Sequence, residues 1–316
     1  MRKYAFWVTI FLLILGWTSL PGKSQEANQA SGKDVTVTVT VQRRGPNAPT
    51  VLNAEDVFVY QNNQRRPVVQ WVPATGRNGG LDLVILIDDS VDTSIGTHYV
   101  ELKDFIRSLP ASTKVAIAYA SHGSAVMTQN FTTGHERAAA AIRLPRGPYA
   151  VASGTYMALT DLIKHWPEDG NRRAVLVLSD GVDLYWGMSE ALPSNNPNLH
   201  EAVAAAQRGG VNVYTIYANS TSHALQNSYL ATAGQSCLED LAQSTGGKAY
   251  FQGLQTPIDF QPILQNVKSR LESQHLLTFR AEQGKKDSYD RLRITTEQPQ
   301  VKLVAPKRVY VPGIAM

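Results

Sequence analysis

The sequence predicts an α/β protein: a doubly wound open sheet inserted in a small β-domain built from both chain ends. Three observations carry this expectation. Near-continuous aliphatic runs recur at LDLVILI (81–87), VAIAYAS (115–121), AVLVLSD (174–180) and VNVYTIYA (211–218), as expected of strands covered on both faces in a parallel sheet. Stretches of helical periodicity separate them, and strands alternating with helices of that length make βαβ units. Both chain ends read instead as short strands, too few at either end for an independent sandwich, so the simplest solution pairs the ends with each other.

Taken in order, the first segment has a basic start, an apolar run at 5–15 and small residues at Gly22 and Ser24. That is a secretory signal pattern with cleavage after Ser24, and it directs the chain out of the cytoplasm to a periplasmic or extracellular location. An uncleaved membrane anchor is the competing reading, because the apolar stretch 4–20 is only slightly short of a span. Next, VTVTVTVQ (35–42) alternates strictly and reads as a half-buried strand. DVFVYQNNQRRPVVQWV (56–72) reads as two strands joined around Asn62 and Asn63, a hairpin signal. After Asn78-Gly79-Gly80 come the aliphatic strands, with a shorter one at KAYF (248–251). The intervening helices are HYVELKDFIRSL (98–109), HERAAAAIRL (135–144), TYMALTDLIKHW (155–166), NLHEAVAAAQRG (198–209), LEDLAQSTGG (238–247) and a last one over 259–273. The final strands are HLLTFRAE (275–282), DRLRITT (290–296) and VKLVAPKRVYV (301–311). The expected organisation is therefore a signal peptide at 1–24, a β-segment at 25–79, the α/β domain at 80–273 and a β-segment at 274–316.

Composition narrows the function classes. With 316 residues, 43% of them hydrophobic and 18% charged, the chain can bury a proper core. Its net charge of +4 is small, and its Lys and Arg form no stripe interleaved with aromatics, so nucleic acid is not an expected partner. The single cysteine, Cys237, cannot form an internal disulfide and reads as a small buried hydrophobe.

Chemistry is expected beyond the carboxyl ends of the strands, where open α/β sheets bind ligands. The stretch LIDDSVDTSIG (86–96) leaves the first aliphatic strand there and places Asp88, Ser90 and Asp92 across a turn that opens a helix. Hard oxygen donors at such spacing suit Mg²⁺ or Ca²⁺. Thr155, at the start of a helix, and Asp180, at the end of a strand, are two further donors. The alternative is structural: Asp88, Ser90, Asp92 and Thr155 could each cap the helix that follows. Asp89 and Asp183 read as solvated carboxylates near the site, and Ser94 as helix surface.

Asp88-x-Ser90, Gly154-Thr155 and Ser179-Asp180-Gly181 together resemble the metal-ion-dependent adhesion site of von Willebrand factor type A domains, and the element order over 81–273 resembles that fold. The flanking β-segments resemble the secreted bacterial subfamily labelled VWFA-related. The resemblance implies that Ser90 and Thr155 coordinate a cation directly, that Asp88 and Asp180 do so directly or through water, and that the glycines let the loops approach. It also implies a protein ligand that completes the coordination with an acidic side chain. One position departs from the family pattern: Asp92 stands where the second serine of Asp-x-Ser-x-Ser belongs. Three carboxylates would then face the cation, which opposes an acidic partner and favours Ca²⁺ over Mg²⁺.

The expected function is thus a non-enzymatic, exported binding or adhesion module, with membrane contact only if the first segment is uncleaved. A metal-free structural scaffold is the alternative that Asp92 supports. A hydrolase is a remote third: the chain has no Gly-x-Ser-x-Gly elbow and no His-Glu-x-x-His pair, and Ser90 replaces the second aspartate of aspartyl-phosphate enzymes. The histidines, His98, His122, His135, His165, His200, His223 and His275, read as exposed polar residues.

Overall fold

The computed structural model describes residues 32–45, 51–147, 154–220 and 228–314. The signal-or-anchor segment lies outside them. Among the described residues, no helix is long and apolar enough to cross a membrane.

Both chain ends build two four-stranded sheets. In one, β1 (Gly32–Arg43) pairs antiparallel with both β11 (Gln274–Glu282) and β13 (Val301–Val304), and β11 also pairs with β4 (Val68–Pro73). In the other, β12 (Ser288–Thr296) lies between β14 (Arg308–Val311) and β2 (Val57–Gln61), with β3 (Gln64–Arg66) at the edge. Their inner faces share one core, in which Val37, Val39, Leu277 and Phe279 meet Val57, Val59, Ile294 and Val311. The hairpin at Asn62-Asn63 forms as expected, both residues having positive φ (49° and 67°), the backbone that a two-residue hairpin turn requires. The run after it is two strands rather than one. Pro67 has no N–H for a ladder, and the chain changes sheets there. Likewise the last stretch splits at Pro306 into β13 and β14.

Between these ends sits a six-stranded sheet in the order β10-β9-β8-β5-β6-β7. Its members are β5 (Leu81–Asp88), β6 (Thr113–Ser121), β7 (Ser124–Thr132), β8 (Arg172–Ser179), β9 (Val211–Tyr217) and β10 (Ala249–Tyr250). All pairings are parallel except β6 with β7. The edge strand β7 was not expected from the sequence. Strand β5 is buried on both faces, and its alternation sorts the two cores. Leu83, Ile85 and Ile87 pack under α1 (Tyr99–Arg107), α2 (His135–Ala140) and α6 (Gln261–Glu272). Val84 and Leu86 pack under α3 (Thr155–Lys164), α4 (Pro197–Gly209) and α5 (Ser228–Ser244). The expected fold class, a doubly wound sheet inserted between paired chain ends, is the one observed.

Two side-chain expectations need correction or refinement. His98 stacks on Phe260 at 4.1 Å between ring centroids and His275 on Trp71 at 4.5 Å, so these two histidines are packing residues rather than exposed polar ones. His223 lies outside the described residues. Cys237 is buried as expected, its Sγ donating to the Ala191 carbonyl at 3.2 Å.

Candidate functional site

The order of the sheet fixes where the site can form. From β5 the chain moves to β6 on one side and later to β8 on the other, so the crevice between their carboxyl ends is a topological switch point. Asp88 is the last residue of β5 and Ser179 the last of β8, both facing this crevice from buried positions.

Asp88 is the hub. Its Oδ1 accepts the Ser90 backbone N–H at 2.9 Å and the Ser90 hydroxyl at 2.7 Å. Its Oδ2 accepts the Thr155 hydroxyl at 2.9 Å and the Ser179 hydroxyl at 2.8 Å. Three loops therefore converge on one carboxylate. Thr155 is not a helix cap: α3 starts from Gly154, whose φ of 54° is left-handed, and the Thr155 side chain turns inward to Asp88. Gly181, at φ 70°, serves the third loop. A Cβ there would lie 2.4 Å from the Gly234 carbonyl oxygen, so only glycine lets this loop lie against α5.

Asp180 stands beside Asp88, buried, with Oδ1 accepting the Val182 N–H at 2.9 Å. Burial first, and then the neighbouring Asp180 charge, push the Asp88 carboxyl above the ordinary carboxylate range, against the lowering effect of the hydroxyl and N–H donors. This arrangement disfavours its own negative charge and would be relieved by a cation. Each hydroxyl that donates to Asp88 retains oxygen lone pairs, so Ser90, Thr155 and Ser179 could still serve as ligands together with Asp88 and Asp180. That set is all oxygen, which suits Mg²⁺ or Ca²⁺ and not a thiolate- or imidazole-preferring metal. Among the described residues, no group of three His, Cys, Asp or Glu side chains could hold a metal, so any such site here draws on the hydroxyls.

Asp92 is placed differently from the other four. It caps the 3-10 turn Thr93–His98, with Oδ1 accepting the Ser94 N–H at 2.7 Å, and those hydrogen bonds hold its carboxyl below the usual range. The capping reading is thus realised at Asp92, while Asp88, Ser90 and Thr155 bond to one another.

Two neighbouring carboxylates are not solvated, contrary to expectation. Asp89 is fully buried and receives Arg143 on both oxygens, at 2.7 and 3.1 Å, along with the Arg146 N–H at 2.9 Å. Asp183 is buried as well. Its Oδ1 accepts the Tyr185 N–H at 2.9 Å and its Oδ2 the Asn198 side chain at 2.8 Å, which braces a loop whose Tyr185 and Trp186 are 61% and 56% exposed. Sequence reading also left Ser179 out of the donor set, although its place at the end of an aliphatic strand was a usable signal.

No protein-family model matches the sequence, and no curated protein matches it. Among solved structures, the chain is similar to an aerotolerance-related membrane protein from Bacteroides fragilis, at 14% identity and TM-score 0.40, over 61% of this chain and 98% of that one. It is similar to the conserved hypothetical protein BatB from Bacteroides thetaiotaomicron, at 14% identity and TM-score 0.38, over 61% and 97% of the two chains. The ArnB paralog VWA2 from Sulfolobus acidocaldarius matches at 9% identity and TM-score 0.42, over 89% and 76%. Each likeness is one of fold, and the reading of the site rests on the geometry above.

Proposed function

We propose that this chain is an exported, non-enzymatic binding module of bacterial type, which engages a protein partner through a divalent cation held at the switch point of its sheet. The observation that carries the reading is the convergence of Ser90, Thr155 and Ser179 on Asp88, with Asp180 alongside. Asp88, Ser90, Thr155 and Asp180 would hold the ion, with Ser179 orienting Asp88. Bound there, Mg²⁺ or Ca²⁺ would offer a partner's carboxylate a positive centre. The chain's own residues do the rest. Asp88 fixes the hydroxyls, Gly154 and Gly181 admit their loops, and the Arg143 pair removes the Asp89 charge from the vicinity. Exposed Tyr185, Trp186 and Met188 on the loop after Asp180 supply apolar contact area of the kind protein interfaces use. Export rests on the basic and apolar pattern at 1–24.

A metal-free scaffold is the second reading, favoured by the commitment of Asp92 to a cap. Calorimetric titration of Ca²⁺ and Mg²⁺ separates the two. Binding by wild type, lost in Asp88→Ala and Asp180→Ala, supports the cation site. In Asp92→Ser, a weaker grip on Ca²⁺ would add Asp92 to the ligands, and an unchanged one would leave it a cap. A wild type silent with both ions up to about 1 mM would sink the cation reading and leave the scaffold. N-terminal sequencing of the exported protein tests the leader, which should be absent from a mature chain beginning near Gln25.

A further inference from the structure

At the opposite end of β5 and β8 from the Asp88 cluster, a cavity of ≈ 180 Å³ is lined by residues at both connections between the six-stranded sheet and the β-sheets. Its walls are mainly apolar, from Ala74, Leu81, Leu109, Pro110 and Leu271. Arg172, the first residue of β8, also lines it. The guanidinium is largely buried and, among the described residues, has only neutral partners. Nη1 donates to the Leu271 carbonyl at 2.9 Å and to Gln274 Oε1, and Nη2 donates to the Gly79 carbonyl at 3.4 Å. The Nε–H has no partner.

The Leu271 carbonyl belongs to the last turn of α6, so the helix end compensates part of this buried charge. It does not compensate all of it, since burial still draws the Arg172 pKa down to about 10. A guanidinium has five donors, and with the Nε–H enclosed, the second Nη2 hydrogen is the one left to meet a carboxylate. The other charges at the cavity, Lys268 and Glu272, stand 4.0 Å apart and offset each other. An apolar cavity of about 150 Å³ accepts benzene, so this one has room for a ring or a short branched chain.

We infer that this cavity binds a small organic acid, with the apolar body between Leu81, Leu109 and Leu271 and the carboxylate on Arg172. The site is independent of the cation reading and lies at the other edge of the sheet.

The test uses the full-length protein with benzoate as probe, followed by backbone amide NMR. Saturable shifts at Gly76, Gly79 and Thr113, with Kd at or below about 1 mM, are expected. Benzyl alcohol, similar in size but neutral, should bind at least about tenfold more weakly, because it lacks the charge-assisted pair. Arg172→Gln should erase that difference and leave benzyl alcohol binding unchanged. Should the variant not fold, the wild-type comparison of the two probes decides alone. Shifts that fail to saturate, that map elsewhere, or that are equal for acid and alcohol would overturn the assignment.

Discussion

Removing Arg143 should cost more than removing Asp89, although the two form a single pair. The Asp89 side chain is 0% exposed and takes both guanidinium nitrogens, whereas Arg143 is 30% exposed and lies 3.7 Å over the Tyr119 ring. In Arg143→Met, the Asp89 carboxylate would be stranded in the interior with the Arg146 N–H and a guanidinium 3.8 Å away. Breaking a buried pair that way costs about 3–5 kcal/mol. In Asp89→Asn, the cation left behind can still reach water along its exposed edge, so the cost should be about 2 kcal/mol. The double variant should be less damaged than the two single costs added together, because the second change removes the group the first one strands. Urea unfolding in chelator gives the three values, and thermal unfolding should place Arg143→Met roughly 5–8 °C below wild type. The reasoning fails if both single variants stay within about 0.5 kcal/mol of wild type, the behaviour of a solvated carboxylate.

Three other outcomes follow from the same geometry. Asp88→Asn should make the cation-free protein more stable at pH 7, because a carboxyl raised in the fold favours folding only while protonated; the advantage should shrink as pH falls toward that raised value, and urea curves in chelator at pH 5 and 7 measure it. Gly234→Ala would set a Cβ 2.1 Å from the Asp180 carbonyl oxygen, so α5 must move off the end of β8 at about 1–3 kcal/mol; full stability on denaturation would contradict the contact. Burial pushes the Cys237 thiol up to about 12, so a thiol reagent at pH 8 should label the protein only in denaturant, and rapid native labelling would refute its burial.

What the sequence disclosed and what it hid divide along a physical line. Aliphatic runs such as LDLVILI are read correctly because a strand covered on both faces needs nothing beyond its own residues to announce itself. Strand β7 was missed because SAVMTQNFT lies at the sheet edge, half exposed, and pairs through a bulged register. Helix α5 begins at Ser228, ten residues before the expected start, since Gly234 and its small neighbours look like a loop until the close approach to Asp180 explains them. The second helix ends at Ala140, short of the expected boundary, where the chain turns to meet Asp89. Asp88, Ser90, Thr155 and Asp180 lie together as their loop positions suggested, yet Asp89 was misread because its partner is 54 residues away.

Even so, the fates of Asp88 and Asp89 follow from a rule that operates within five residues. On β5, Leu83, Ile85 and Ile87 face the layer of α1, α2 and α6, while Val84 and Leu86 face that of α3, α4 and α5. Carried past the end of the strand, the same period of two sends Asp88 to the α3 side and Asp89 to the α2 side. Asp88 accordingly meets Thr155 at the start of α3, and Asp89 meets Arg143 in the chain following α2. Two adjacent carboxylates thus enter different electrostatic environments with no change in the backbone. One is neutralised by a guanidinium; the other is surrounded by hydroxyls and pressed by Asp180.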